Sequence, residues 1–265
     1  MTVTPEFNIL NYMYFYNGGG VSLEDFNGDG LVDLFFTSNQ DSNRLYVNKG
    51  NFQFEDVSKQ ANVFGMSDSW TTGSTTADVN GDGLVDIYVS MLGNYRGYFA
   101  QNLLYINQGT DNHGIPTFKE ESAKYGLDIV GFSTQALFFD YDLDGDLDMY
   151  QLNHSVHSNG TYRPRKELLN TKHQLSGDKL MRNNHGYFED VTDSAGLHSS
   201  ALGYGLGVGL ADLNDDGYPD IYVGNDFHED DYLYINQQDG TFKDALGDYI
   251  RHTSRYSMGN DLGDI

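Results

Sequence analysis

The 265 residues contain no cysteine, so disulfides add nothing to stability and the redox state of the compartment leaves no mark on the sequence. Basic residues are scarce. Fifteen Lys and Arg stand against 39 Asp and Glu, for a formal net charge of -24. Phosphate backbones and anionic lipid surfaces are held by clustered Lys and Arg, so nucleic acid and membrane surfaces are not expected partners. No apolar run approaches the roughly 20 residues that span a bilayer, which predicts no direct membrane insertion. The opening Met1-Thr2-Val3-Thr4-Pro5-Glu6 lacks the basic start and apolar stretch of a secretion signal. Nucleophile signatures are missing as well: there is no cysteine and no glycine-flanked serine elbow. Gly18-Gly19-Gly20 precedes a strand pattern, whereas a phosphate-binding loop needs a helix. The sequence therefore names no catalytic residue.

Acidic residues are abundant and ordered. The pattern Asp-x-Asn/Asp-x-Asp-Gly-x-x-Asp occurs four times, at Asp25 to Asp33, Asp78 to Asp86, Asp140 to Asp148 and Asp212 to Asp220. These loops hold 15 of the 39 acidic residues. A hard divalent cation takes six to eight oxygens at about 2.3 to 2.6 Å, and carboxylates two residues apart on a tight loop converge on one point. Side-chain oxygens are assigned to Asp25, Asn27, Asp29 and Asp33; to Asp78, Asn80, Asp82 and Asp86; to Asp140, Asp142, Asp144 and Asp148; and to Asp212, Asn214, Asp216 and Asp220. Leu31, Leu84, Asp146 and Tyr218 give backbone oxygen. The third loop departs from the others, because Asp142 and Asp146 add charge. That predicts a tighter site or one in need of extra neutralisation. Four structural Ca2+ ions would bring the net charge from -24 to -16.

An EF-hand would need a bidentate Glu at loop position twelve and a helix on each side. Position twelve is Phe36, Val89, Gln151 and Val223. Each loop runs into β-branched and aromatic residues of strand length, apolar on both faces, which predicts strands covered on both sides. A second strand follows each: Leu45-Tyr46-Val47-Asn48, Leu104-Tyr105-Ile106-Asn107, Leu180-Met181-Arg182-Asn183 and Leu233-Tyr234-Ile235-Asn236. A third signature begins at Phe54, Phe118, Phe188 and Phe242, and from each of these the next loop starts 22 to 24 residues on. That step from Phe242 lands on Asp264, with Gly259 five residues before it as Gly20, Gly73 and Gly207 precede the other loops. Repeats near 17–69, 70–131, 132–203 and 204–255, and the start of a fifth at 256–265, are therefore expected within one partial domain. About four short strands per repeat predict an all-β fold, a β-propeller of four-stranded antiparallel blades. A β-solenoid would have shorter, parallel rungs and a glycine-rich nine-residue period that is absent here. The remainder of the propeller, or a partner chain, is expected to close the ring.

These loops, the Leu-Tyr-x-Asn strands and the Phe-x-Asp-Val-Ser/Thr segments resemble FG-GAP, or VCBS, repeats, the blades of integrin-α-like propellers. Tyr14 to Gly20, Asn153 to His157, Gly224 to Glu229 and His252 to Gly259 resemble bacterial members of the ASPIC/UnbV and cartilage-acidic-protein group more closely. The resemblance implies a seven-bladed propeller, export, and often a separate C-terminal domain.

Sites of this open kind in extracellular modules bind calcium at about 0.1 to 1 mM, which predicts an extracellular, outer-membrane-surface or periplasmic location. Segments after loop position fourteen (Ser38, Met91, Asn153 and Asn225) lie at the far end of the strand from the loops and form the candidate binding rim. His154, His157, Asp226, His228 and Glu229 are the rim residues with metal-binding or acid–base chemistry. Tyr95, Tyr98, Phe99 and Tyr162 could stack on sugar rings or fill the space between blades, and Arg163, Arg165 and Lys166 form the one basic patch. Three functions are open on this reading: a module binding a glycan or protein at a cell surface, a polysaccharide lyase or hydrolase using the rim cluster, and a structural spacer.

Overall fold

The computed structural model describes residues 2–66, 69–95, 97–155, 164–168, 171–227 and 229–263. The fold is all-β, and the described residues form four four-stranded antiparallel sheets in simple sequential order. The first holds β1 (Val21–Glu24), β2 (Asp33–Phe36), β3 (Arg44–Asn48) and β4 (Phe54–Asp56). The second holds β5 (Thr71–Ala77), β6 (Asp86–Met91), β7 (Leu103–Thr110) and β8 (Pro116–Glu120). The third holds β9 (Ser133–Phe139), β10 (Asp148–Asn153), β11 (Lys179–Asn183) and β12 (Phe188–Asp190). The fourth holds β13 (Gly205–Ala211), β14 (Asp220–Asn225), β15 (Tyr232–Asn236) and β16 (Phe242–Asp244). Each acidic loop joins the first two strands of its sheet, so strands flank it on both sides and the EF-hand alternative is excluded.

The chain forms two compact units, Met1–Val130 with the first two sheets and Gly131–Ile265 with the last two. In the first, Phe26, Phe35, Leu45 and Val47 pack against Ile87, Val89, Leu103 and Phe118. In the second, Tyr150, Leu152 and Leu180 pack against Val208, Ile221, Val223 and Tyr234. Register is conserved through the repeats: Phe35 pairs with Leu45, Tyr88 with Leu104, Tyr150 with Leu180 and Tyr222 with Leu233. Burial on both faces holds throughout β6 and β10. It fails in β2, where Leu34 and Phe36 alternate onto the face that the second sheet does not cover, and Phe36 is exposed.

The Phe signature closes each sheet. Asp56 Oδ1 accepts from the Ser58 N–H and hydroxyl, and Ser58 Oγ accepts the Leu45 N–H at 2.9 Å. Asp190 and Thr192 repeat this arrangement onto the Leu180 N–H. One-turn helices follow, at α1 (Ser58–Ala61) and α2 (Ser122–Tyr125); α3 (Arg165–Leu168) lies in the long third-sheet insertion, and α4 (Leu246–Tyr249) follows β16. First strands approach closely within each unit. A Cβ on Gly20 would lie 2.3 Å from the Ser74 nitrogen, and one on Gly207 would lie 2.8 Å from Gly259 and Asn260 backbone atoms. Residues 257–263 thus run beside β13 much as β5 runs beside β1. No helix among the described residues is long and apolar enough to cross a membrane.

Candidate metal centre and the opposite rim

Each loop is wound around its first and last carboxylates. Asp25 accepts the N–H groups of Gly28, Asp29 and Gly30 at 2.7 to 3.0 Å. Asp78, Asp140 and Asp212 likewise accept the N–H groups four and five residues on. The fourth loop residue sits in the left-handed region: Gly28 at φ 74°, Gly81 at 73°, Leu143 at 59° and Asp215 at 60°. A side chain there is strained, so the turn favours glycine, and the first two loops have it.

The last carboxylates, Asp33, Asp86, Asp148 and Asp220, are almost wholly buried. One oxygen of each accepts an N–H from the second loop residue, at 2.9 to 3.2 Å. The other accepts the N–H of Asn48, Asn107, Asn183 or Asn236 at 2.8 Å. These asparagines end the Leu-Tyr-x-Asn segments, a pattern that by itself assigns them no role. Their side chains donate to loop carbonyls of their own sheet. Asn107 also donates to the Phe26 carbonyl and Asn236 to the Tyr141 carbonyl, tying the first and third loops to the neighbouring sheets of their units.

Three loops carry Asn at position three, and its amide donates to the position-five aspartate: Asn27 to Asp29, Asn80 to Asp82 and Asn214 to Asp216. Asp142 has no such proton to give. Its Oδ1 is buried without a hydrogen-bond partner, as is Asp146 Oδ1. Carboxylate oxygens of Asp140, Asp142 and Asp148 lie within 4.8 Å of one another, which no other His, Cys, Asp or Glu trio does among the described residues. Burial first, and the neighbouring carboxylates after it, push Asp148 up to about 7 and raise Asp142. Burial pushes Asp86 up to about 6 and raises Asp33 and Asp220. Crowded, desolvated carboxyls of this kind are stabilised by a proton or by a counter-charge. The donor set, all hard oxygen, fits a Ca2+-class ion.

Three of the five rim residues, His154, Asp226 and Glu229, lie among the described residues, and each has partners of its own. His154 is buried, stacks on Phe132 at 4.9 Å and donates from Nδ1 to the Ser155 carbonyl; burial lowers its pKa to about 4, so it is neutral at pH 7. Asp226 accepts the Phe227 N–H, and burial raises its pKa. Glu229 is fully buried and holds Arg165 in a fork, Nε to Oε2 at 2.8 Å and Nη2 to Oε1 at 3.1 Å, while also accepting the Tyr232 hydroxyl. Among the described residues His154, Asp226 and Glu229 form no close ligand trio, and the basic patch is partly engaged through Arg165. His157, His228, Tyr162 and Arg163 lie outside the described residues. Asn153 and Asn225 are buried turn anchors, donating to the Gly177 and Asp230 carbonyls. Tyr95 and Tyr98 pack into an aromatic cluster with Phe7 and, in turn, Tyr12 or Trp70; Tyr98 also borders the rim cavity of the first unit, and Phe99 is exposed. In the first unit a rim cavity of about 600 Å³ is lined by Gln40, Asp41, Ser42, Phe64 and Tyr98 among others.

Sheets and loops together define a β-propeller protein built from repeated four-stranded blades. Residues 25–89 and 212–265 match the family described as FG-GAP-like repeat. The chain is also similar to cartilage acidic protein 1 of Homo sapiens, 31% identical over 136 residues, and of Mus musculus, 28% identical over 141 residues. Each alignment covers 50% of this chain and 20% of the relative, so the chain spans about a fifth of the length of these curated relatives. The resemblance to the ASPIC/UnbV and cartilage-acidic-protein group stands on this. Among solved structures it is similar to an Agrocybe aegerita lectin described as recognising non-reducing terminal N-acetylglucosamine, at 17% identity and TM-score 0.34, over 89% of this chain and 68% of that one.

Proposed function

We propose that this is an exported, calcium-stabilised propeller module that binds a surface partner, with saccharide as the leading ligand class. The observation that carries the calcium reading is the third loop, where three carboxylates approach within 4.8 Å and two oxygens are buried unbonded. Calcium would be held by the position-one, -three, -five and -nine side chains with the carbonyls of Leu31, Leu84, Asp146 and Tyr218. Its role is structural: the loop carboxylates also hold the strand-three asparagines, which reach the neighbouring sheet of each unit. Millimolar calcium outside the cell matches the affinity of such sites, which supports export.

Ligand binding is assigned to the rim. Polar groups of Gln40, Asp41 and Ser42 beside Phe64 and Tyr98 suit a sugar, whose hydroxyls want acceptors and whose ring face wants an aromatic wall. Turnover is not part of this reading, because His154 and Glu229 are engaged in packing and pairing. Chelation with EGTA is expected to lower the melting temperature by more than 10 °C, and millimolar calcium, but not magnesium, to restore it. An unchanged melt would refute the metal reading. A glycan array scored for binding, with Tyr98→Ala as control, tests the rim separately; signal unaffected by the substitution would remove this cavity from the proposal.

A further inference from the structure

The third strand carries Leu-Tyr-Val-Asn, Leu-Tyr-Ile-Asn and Leu-Tyr-Ile-Asn in three repeats, and Leu180-Met181-Arg182-Asn183 in the remaining one. An arginine thus stands where the other repeats have Val47, Ile106 and Ile235. It does so in the one repeat that also replaces the position-three Asn by Asp142. The two departures meet in space. Arg182, Asp142 and Tyr141 line one cavity of about 400 Å³, together with Gln238 and Thr241 of the neighbouring sheet.

We propose that Arg182 is a fixed counter-charge for the third loop: it offsets the extra carboxylate at Asp142, holding the loop together without metal and weakening its grip on a cation. Charge counting gives the reason. The first two loops hold three acidic residues each, the fourth holds four and the third holds five. One guanidinium brings the third to the net charge of the fourth. A ligand anion in this cavity is the competing use for Arg182, but five carboxylates against one guanidinium and one divalent ion leave the surroundings negative, which repels an anion. The buried, unbonded Asp142 Oδ1 is available to a cation, while the guanidinium acts through its charge from the wall of the same cavity.

The test has two arms, and only the second rests on the calcium reading. Melting in excess EDTA is measured for the wild type, Arg182→Ile, Arg182→Lys, Asp142→Asn and the Asp142→Asn/Arg182→Ile double variant. Arg182→Ile is expected to melt several degrees lower, Arg182→Lys close to wild type, and the double variant to recover most of the loss. Equal losses from Arg182→Ile with and without Asp142→Asn would overturn the pairing, since the arginine would then act by packing alone. Calcium calorimetry is the second arm. Arg182→Ile is expected to tighten one binding step by about tenfold, from removal of a like charge beside the ion. If calcium binds and stabilises every variant but no step tightens, the counter-charge proposal fails while the metal reading stands. If calcium stabilises none, the metal reading fails and the EDTA arm alone judges the pairing. Should Arg182→Ile not fold even with calcium, Arg182→Gln against Arg182→Lys supplies the same contrast.

Discussion

The two units share strand order, register and loop spacing, and they differ in what they bury between their sheets. At matching positions the first holds Phe35, Asn43, Ala100 and Leu103, and the second holds Tyr150, Asp178, Glu229 and Tyr232. Around Phe35, Ala100 and Leu103 the first unit's seam is an apolar cluster. In the second, Tyr150 donates to Asp178 Oδ2 at 2.8 Å, Tyr232 donates to Glu229, and Glu229 is anchored by Arg165 from the long insertion. One backbone therefore accepts either an oily seam or a wired polar one. Apolar packing is stabilising wherever volumes match, whereas a buried ionic seam is stable only when every member is satisfied. The polar version makes the second unit depend on α3, which the first does not have.

The sharpest way to break this comparison is to exchange one residue across it. Ala100→Glu puts a carboxylate into the apolar cluster without the arginine fork that Glu229 has, and is expected to cost about 3 to 5 kcal/mol in urea unfolding. Glu229→Gln should cost less, about 1 to 2 kcal/mol, because Arg165 is half exposed and hydrates when released. A larger loss for Glu229→Gln than for Ala100→Glu would mean that the two seams are not equivalent positions of one design.

Much of this was legible before any coordinates. The loops, the three strand signatures and their constant spacing marked four repeats of an all-β fold with about four short strands each, because a carboxylate loop and an apolar strand each leave residue types at set offsets. Roles that rest on partners distant in sequence left no such trace. Asn107 reads as a strand end, yet its amide reaches the Phe26 carbonyl 81 residues away. Glu229 reads as a candidate site residue because Arg165, 64 residues earlier, cannot be paired with it by pattern. His154 has the type of a catalytic group but the burial of a core residue. One signal was readable: aligning the repeats places Ala100 opposite Glu229 and Val47 opposite Arg182, and substitution of an apolar residue by a charged one marks a local compensation.

A smaller effect separates the buried acids. Burial pushes Asp178 up to about 7, against the lowering pull of the Asn153 N–H and the Tyr150 hydroxyl. A carboxyl whose pKa is higher folded than unfolded lends stability that is complete below about pH 4 and lost as pH rises through 7. Asn102 shows the neutral alternative in the first unit: Oδ1 accepts the Met91 N–H at 2.8 Å and Nδ2 donates to the Tyr88 hydroxyl at 2.9 Å. Asp178→Asn can adopt the same two bonds. Relative to wild type it is expected to gain stability between pH 4 and pH 7, by up to a few kcal/mol, when unfolding is followed in saturating calcium. A difference that stays flat over that range would show that Asp178 is ionised in the folded seam at all these pH values.

The smallest expected contrast lies in the loops. Leu143 holds a left-handed conformation at φ 59° where the first unit has glycine, and its side chain is exposed. Left-handed backbone costs a non-glycine residue about 1 to 2 kcal/mol, while glycine gives back about 0.5 to 1 kcal/mol through the freedom of the unfolded chain. Leu143→Gly should therefore stabilise by about 0.5 kcal/mol, visible as a melting increase of a degree or two in saturating calcium. Asp215→Gly, at φ 60°, should gain less, because a short polar side chain tolerates this region better than leucine does. Should Leu143→Gly instead melt lower while Asp215→Gly does not, backbone strain would not be what distinguishes the third loop. Its charge, five carboxylates around one turn, would then be the property that sets it apart from the other three.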